Sequence, residues 1–185
     1  MTGVEKTATP ESVTQPLTQA GNASHLPSLA EALMIASSVP DPEIPAVTVA
    51  DLGILRGVRR DGDTIVVALT PTYTGCPAVL AIELAVEAVL CAAGFEKVRI
   101  ERVLSPAWTT DDITPSGRSK LREYGIAPPA QRGGRGALLF ASETVACPRC
   151  GSNHTTPISE FGSTACKALW RCNACREPFD YFKCL

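Results

Sequence analysis

Histidine is scarce in this sequence, with only two in 185 residues, and the net charge at neutral pH is just −2. No Glu-x-x-His pair occurs, although this is the ligand motif of di-iron carboxylate proteins. So small a net charge also gives no large basic surface for nucleic acid or an anionic membrane. We therefore expect neither a di-iron oxygenase nor a nucleic-acid partner.

Long apolar segments and cofactor fingerprints are missing as well. The longest apolar stretch, residues 78–94, is interrupted by Glu83 and Glu87, both predicted to be solvated, so we expect no membrane span. No glycine-rich phosphate or dinucleotide motif occurs, which argues against a flavin or nicotinamide enzyme. The N-terminus has no basic start followed by an apolar run. We therefore expect no signal peptide and a cytoplasmic location, where cysteines serve metal or redox chemistry.

Cysteine, by contrast, is abundant, with eight residues. Two C-x-x-C pairs, Cys147 with Cys150 and Cys172 with Cys175, are separated by 21 residues. This spacing is close to that of zinc ribbons, in which four thiolates surround Zn²⁺ as a tetrahedron. A bound ion would also explain how so small a piece folds, since its core alone is marginal. We predict a four-cysteine zinc site, with an iron–sulfur cluster or a redox dithiol pair as alternatives.

Periodicity and turn signals organise the rest of the chain. Residues 1–26 have no hydrophobic period and predict a disordered tail. Ser28 and Glu31 have capping-box spacing and open a first helix, and Asp61-Gly62 joins two strands as a hairpin. The predicted elements after that helix are strand 54–60, strand 64–69, helix 78–93 and strand 97–104.

This α-β-β-α-β order predicts a small two-layer α/β domain over residues 27–129, with its helices on one face of a mixed sheet. A short helix from Thr114 to Tyr124 is expected to follow, and Trp108 is expected to be a hydrophobic anchor. Residues 130–140 predict a flexible linker, and residues 141–185 predict a zinc-ribbon-like β module.

Cys76 lies in the strand-to-helix turn of residues 70–77, between Gly75 and Pro77. Proline is favoured at the first helical position. Cys76 is therefore predicted at or beside the N-cap, where the helix dipole favours a thiolate. Such a thiol is a candidate nucleophile or soft-metal ligand; the alternative is a small, half-buried and inert residue.

Carboxylates precede this turn in the sequence. Asp41 and Glu43 lie in a proline-rich loop, and Asp51 follows shortly after. Either these residues form turns and caps, or they face Cys76 across a shared pocket.

The other metal-ligand types give weaker signals. Cys166, beside Lys167, is interpreted as a packed ribbon residue, with a reactive thiol as the alternative. Cys91 is predicted to lie in the core, and Cys184 is predicted to be a spare thiol. His154 is a candidate substitute ligand, although four cysteines already complete the ribbon site.

Several motifs resemble known families. In the N-terminal part, the resemblance is to SufT-like iron–sulfur cluster assembly factors, through residues 41–45 (Asp-Pro-Glu-Ile-Pro), 51–53 (Asp-Leu-Gly), 70–72 (Thr-Pro-Thr) and 75–78 (Gly-Cys-Pro-Ala). In the C-terminal part, residues 159–168, the second C-x-x-C pair and residues 177–183 resemble the D component (PaaD type) of bacterial phenylacetyl-CoA epoxidase systems.

The resemblance implies a non-catalytic accessory factor of phenylacetate degradation, which assists the assembly or maintenance of iron–sulfur clusters. Its implied partners are the oxygenase and reductase components, with the reductase as client. Cys76, with Asp41 and Glu43 as pocket neighbours, would handle iron or a transient cluster, while the four ribbon cysteines would hold zinc. Since one exposed thiol per chain leaves a cluster site incomplete, a homo-oligomer is a further candidate.

Two other classes of function stay open. A thiol-dependent redox protein or transferase would use Cys76 or Cys166 as its nucleophile, although no histidine has the sequence context of a base. A structural subunit of the oxygenase complex would keep its function after Cys76→Ser.

Overall fold

The computed structural model describes residues 28–73, 75–129 and 145–183. The predicted tail, the predicted linker and Cys184 lie outside these ranges. Within them the chain forms a mixed α/β region followed by a β module, with two sheets in all, which confirms the predicted fold class. None of the described helices is long and apolar enough to cross a membrane.

The first helix, α1 (Leu29–Ser37), begins where the sequence predicts. Ser28 Oγ accepts a hydrogen bond from the backbone N–H of Glu31 at 3.2 Å, and the Glu31 carboxylate accepts one from the Ser28 N–H. This reciprocal capping box satisfies N–H groups that a helix start leaves free. Ala32 and Ala36, four residues apart, are fully buried and turn one face of α1 to the core.

A three-stranded sheet follows, made of β1 (Leu55–Asp61), β2 (Thr64–Leu69) and β3 (Val98–Arg102) in the order β1-β2-β3. β1 pairs antiparallel with β2 across the predicted hairpin. β3 pairs parallel with β2, because helix α2 (Ala78–Ala92) carries the chain back along the sheet. The predicted mixed sheet is confirmed, although β3 is shorter than the predicted strand.

Helix α2 forms one wall of the main hydrophobic core. Ile82, Val86 and Leu90, at four-residue intervals, are buried in one cluster with alternate residues of β2. Cys91 is exposed, so its predicted core position is wrong. One residue beyond Leu90, it is rotated about 100° around the helix and faces away from the sheet.

The two acidic residues of α2 differ in their surroundings. Glu87 is exposed, as predicted. The Glu83 side chain is only 14% exposed, so the prediction that it is solvated is wrong. Its Oε2 accepts a hydrogen bond from Arg102 Nη2 at 2.8 Å, which joins α2 to β3.

Trp108 is the predicted anchor of the loop after β3. Its side chain is buried, and its indole N–H donates to the backbone oxygen of Leu52 at 2.8 Å. Its ring centroid lies 6.2 Å from that of Phe182, near the end of the described chain. Helix α3 (Pro115–Tyr124) follows the loop with Thr114 as its N-cap, also as predicted.

The second sheet has four strands in the order β4-β7-β6-β5. Its strands are β4 (Ile126–Ala127), β5 (Thr155–Ser159), β6 (Lys167–Cys172) and β7 (Pro178–Phe182). β4 directly follows α3 and pairs parallel with β7. The ribbon therefore shares its sheet with the preceding region, a junction that no sequence signal predicts.

Candidate functional site

The two C-x-x-C pairs converge in the ribbon. The sulfur atoms of Cys147, Cys150, Cys172 and Cys175 all lie within 4.8 Å of one another. Two of the separations are 3.8 Å (Cys147 to Cys175) and 3.5 Å (Cys150 to Cys172). A tetrahedral ion with metal–sulfur bonds of about 2.3 Å places its ligands about 3.8 Å apart. The four sulfurs therefore fit one tetrahedral metal ion, as the sequence spacing predicts.

The backbone turns after the two pairs match each other. Gly151 follows Cys150 with φ +74°, and Arg176 follows Cys175 with φ +67°. Each turn needs a left-handed residue, and glycine adopts this conformation without strain. Arg176 is the one non-glycine among the described residues with positive φ, so the second turn stores strain that the first does not.

Replacing Arg176 by Gly is therefore expected to stabilise the protein by roughly 0.5–1 kcal/mol. Glycine removes the strain of the left-handed conformation, and this gain exceeds the cost of the greater entropy that glycine gives to the unfolded chain. Chemical denaturation of the metal-loaded protein measures this change. Gly151→Ala is the matched opposite, since it introduces the same strain into the first turn and should destabilise. A loss of stability in Arg176→Gly would show that the arginine side chain contributes more than its backbone strain costs.

Neighbouring groups shift the pKa values of two of these thiols, Cys172 and Cys175, in opposite directions. The backbone N–H of Cys175 donates towards Cys172 Sγ at 3.5 Å, and this is the main reason that the pKa of Cys172 falls to about 6. A backbone hydrogen bond at Glu177 lowers the pKa of Cys175, but desolvation and the neighbouring sulfurs raise it to about 12. Cys172 therefore forms a thiolate readily, whereas a thiolate at Cys175 needs a bound cation beside it.

His154 is not among these ligands. The group of metal-ligand atoms found within the described ranges contains four cysteines and no histidine. The backbone oxygen of His154 instead accepts a hydrogen bond from the Asn173 N–H at 2.8 Å, which ties the two turns together.

A second site lies between the two halves of the molecule. It is a cavity of about 30 Å³, walled mostly by apolar side chains. Five of its lining residues carry metal-ligating groups: Asp41, Glu43, Cys76, Cys166 and Glu83, of which Glu83 is paired with Arg102. The structure thus brings the predicted residues Asp41, Glu43 and Cys76 to one pocket, and their roles there stay predictions.

Cys76 reaches the pocket from the turn between β2 and α2. Pro77 is the N-cap of α2 and Ala78 is the first helical residue, so the helix begins where the predicted range 78–93 begins, with the proline at the cap instead of the first helical position. Cys76 lies beside that cap, as predicted, and it is half-buried. Its backbone oxygen accepts a hydrogen bond from the Val79 N–H at 3.3 Å. The thiol is close to the Tyr73 phenol, and burial together with Cys76 raises the pKa of Tyr73 to about 12.

Asp41 makes the hydrogen bonds of a turn-forming residue and also lies at the pocket. Its Oδ1 accepts hydrogen bonds from the backbone N–H groups of Glu43 (2.9 Å) and Ile44 (2.8 Å), which shapes the loop. The same residue is buried at the pocket. Burial raises its pKa above the usual 3.8, although the two N–H groups oppose the shift.

Cys166 is placed differently from its interpretation as a packed ribbon residue. It is buried, but it lies in the core cluster of the α/β region. Its Sγ is 3.5 Å from Glu43 Oε2 and 3.0 Å from Thr164 Oγ1. Burial raises the pKa of its thiol to about 11, and the Glu43 carboxylate adds to the shift. Cys166 is therefore packed, as interpreted, but against the core of the α/β region, and its raised pKa does not favour a reactive thiolate.

Asp51 does not line the pocket, so it does not face Cys76 across a shared cavity, which was one of its two predicted roles. Its side chain is 9% exposed and pairs with Lys120 at 2.6 Å. Its Oδ2 also accepts hydrogen bonds from the N–H and hydroxyl of Thr48. Asp51 therefore has the capping role that was the alternative.

Tyr73, Arg102 and Phe182 are site residues that the sequence did not single out. Arg102 and Phe182 line the cavity, and Tyr73 contacts Cys76. Tyr73 had a signal, since it lies in the turn that carries Cys76. No sequence signal points to Phe182, because its contact with the pocket depends on how the ribbon packs against the α/β region.

Comparison with known proteins assigns both halves. A family model of an iron–sulfur cluster assembly protein matches residues 31–101, and a model of the PaaD zinc beta ribbon domain matches residues 132–183. The putative D component of the 1,2-phenylacetyl-CoA epoxidase of Escherichia coli (strain K12) is 52% identical over 159 residues. That match covers 86% of this chain and 94% of the relative.

Two solved structures are also similar. A domain of unknown function (DUF59) from Bacillus anthracis is 24% identical and covers 50% of this chain and 90% of its own, with a TM-score of 0.46. Rv1466 from Mycobacterium tuberculosis, a protein associated with Fe-S complex assembly and repair, is 33% identical. It covers 57% of this chain and 96% of its own, with a TM-score of 0.33. Neither TM-score reaches 0.5, so the family assignment depends on the sequence matches.

A region that matches iron–sulfur cluster assembly proteins, followed by a β ribbon with a four-cysteine metal site, defines the class of this protein. Within that class, the chain belongs to the family of phenylacetyl-CoA epoxidase D components.

Proposed function

We propose that this chain is a non-catalytic accessory factor that assists assembly or maintenance of an iron–sulfur cluster in a phenylacetyl-CoA epoxidase system, with the reductase component as client. Family membership and the assembly domain support the accessory role. The observation that carries the proposal is the pocket, where the thiols of Cys76 and Cys166 and the carboxylate of Glu43 line one cavity. Thiolates and carboxylates are ligands of iron.

The ribbon site supports this role without taking part in transfer. We assign zinc to it, because four thiolates fill a tetrahedral ion and leave no open position for a substrate. The ion would stabilise the fold of the ribbon. Cys166 and Phe182, at the pocket ends of β6 and β7, would be held in place as a result. Both sites need free thiols, which the reducing cytoplasm maintains.

The test is cluster loading of the reductase in cells. The reductase is expressed with this chain, without it, or with its Cys76→Ser form, and iron and acid-labile sulfide are measured per purified reductase. We expect loading to fall several-fold without the chain and not to be restored by Cys76→Ser. Cys91→Ser is the matched control, because that thiol is exposed on α2 and outside the pocket.

Equal loading of the reductase in all four cases would refute this client. Copurification of the chain with the oxygenase or reductase, unchanged by Cys76→Ser, would then favour a structural subunit of the complex.

A further inference from the structure

Cys166 is fixed at the pocket by the ribbon itself. Its backbone oxygen accepts a hydrogen bond from the Lys183 N–H at 3.0 Å, which pairs this segment with the end of β7. The residue lies in the core cluster of the α/β region, apart from the four ribbon sulfurs. Its Sγ is in contact with Glu43, 123 positions earlier in the chain. The folded ribbon therefore adds a second thiol to the pocket of Cys76.

The charged groups around this cavity favour a cation. Asp41 and Glu43 supply two carboxylates, and Lys167, which acts on Asp41 and Cys166, supplies one ammonium. Glu83 of α2 and Arg102 of β3 also line the cavity, but they form an ion pair and add no net charge. One negative charge is thus left in a cavity with mostly apolar walls, where an unbalanced charge is costly. Two thiols beside it can ionise when a cation binds.

The size of the cavity limits its occupant. A volume of about 30 Å³ gives room for about one water-sized species. This favours a single ion over a preassembled cluster. Within the described ranges only the ribbon sulfurs form a set of three or more donor atoms all within 4.8 Å. The pocket donors are therefore more widely spaced, and binding must draw Cys76 towards the Cys166–Glu43 pair.

We propose that this pocket binds one ferrous ion through Cys76, Cys166 and Glu43, with ligands from both halves of the chain. The choice of iron rests on the proposed function, and the thiolate and carboxylate donors suit it. Binding forms two iron–sulfur bonds and releases one proton from each thiol to solvent, with no change of oxidation state. Since both thiols belong to one chain, the site needs no second copy.

The test uses the full chain with its ribbon loaded with zinc, under anaerobic conditions, and ferrous ion alone as the probe. Equilibrium dialysis followed by elemental analysis gives iron and zinc per chain. We expect about one iron in addition to the ribbon ion. Cys76→Ser, Cys166→Ser and Glu43→Gln should each weaken iron binding at least ~10-fold with zinc unchanged. Cys91→Ser, the exposed thiol, should bind like the wild type.

Iron binding by Cys166→Ser equal to that of the wild type would overturn the assignment of this residue, provided that circular dichroism shows both to be folded. Cys166→Ala repeats the test if the serine disturbs folding. No iron bound by the wild type at full zinc occupancy would overturn the site. Release of two protons per iron supports ligation by both thiols.

The proposed function and the proposed iron site can be refuted independently of each other. Iron that binds as expected, together with reductase loading that ignores the chain, refutes the proposed function and leaves the site standing. Reductase loading that needs the chain, without iron binding to it, refutes the site and leaves the function.

Discussion

Loss of the ribbon ion is expected to unfold the β module and to open the pocket between the two halves. Cys172→Ser removes one of the two buried sulfurs of the four-cysteine group. Structural zinc contributes about 10–16 kcal/mol of apparent folding free energy in small zinc-binding peptides. That is comparable to the whole stability of an ordinary domain, about 5–15 kcal/mol. The ribbon should therefore not persist without its ion.

Apart from the bound ion, few interactions stabilise the fold of the ribbon. Its own core cluster has seven buried residues, two of them metal ligands: Ala127, Val145, Cys147, Ala168, Cys172, Phe179 and Tyr181. So small a core rarely supports a fold by itself. Phe182 and Cys166, by contrast, lie in the main core, so their departure exposes part of the pocket wall.

Trp108 reports this change, because its ring contacts Phe182. We expect Cys172→Ser, or wild type treated with a chelator and a thiol reductant, to lose one metal ion per chain. Tryptophan emission, from Trp108 and from Trp170 in β6, should shift to the red and the melting temperature should fall. The α/β region should keep most of its helical circular dichroism, since α1 and α2 pack on their own sheet. Cys91→Ser is the control with the same chemistry at an exposed position.

A metal-free ribbon that keeps its melting temperature and its tryptophan emission would contradict this account. It would mean that pairing of β4 with β7 and the contacts of Phe182 hold the module without the ion.

Local signals in the sequence were enough for the elements and for the metal ligands. The capping box of Ser28, the hairpin at Asp61-Gly62 and the C-x-x-C pairs act over a few residues. Each therefore predicts its own backbone geometry. The error at Cys91 has a simple cause: in a helix as uniformly apolar as α2, composition does not indicate which face turns to the sheet.

The docking of the ribbon was not predictable in this way. β4 is only two residues long, too short to give a period, yet it pairs with β7. The Cys166–Glu43 contact joins residues 123 positions apart. Both features arise from tertiary packing, and no local pattern in the sequence specifies them. This explains why Cys166 was interpreted as a ribbon residue although it lies at the pocket.

Asp51→Asn is expected to lower the free energy of unfolding by roughly 2–3 kcal/mol, because Asp51 holds together the elements at the base of the pocket. Breaking a buried ion pair costs about 3–5 kcal/mol, and the 42% exposure of Lys120 reduces that figure. The Asp51 backbone oxygen also accepts from the Thr114 N–H at 2.9 Å. A Cβ on Gly117 would lie 2.5 Å from that oxygen. Asp51 thus holds α3 against the turn that carries Leu52, a lining residue of the pocket.

The pH dependence gives the sign of this effect. Burial alone would raise the pKa of Asp51, but hydrogen bonds from Lys120 and Thr48 hold it below the usual 3.8. The native state therefore binds fewer protons than the unfolded state in this window. The stabilisation is fully present above pH 3.8 and is lost as the pH falls through the lower native value. The difference in stability between wild type and Asp51→Asn should be largest at neutral pH and should shrink in acid.

Asp63→Asn is the matched control for this prediction. Asp63 also pairs with a lysine, Lys97, at 2.8 Å, but the Lys97 and Asp63 side chains are 59% and 81% exposed. Solvent screens such a pair, so its loss should leave the denaturation midpoint unchanged. Denaturation of both variants at neutral pH and well below pH 3.8 separates the two cases. If Asp63→Asn and Asp51→Asn lose equal stability, burial of Asp51 is not what makes its pair matter. The base of the pocket would then depend on Trp108 and the close approach of Gly117 instead.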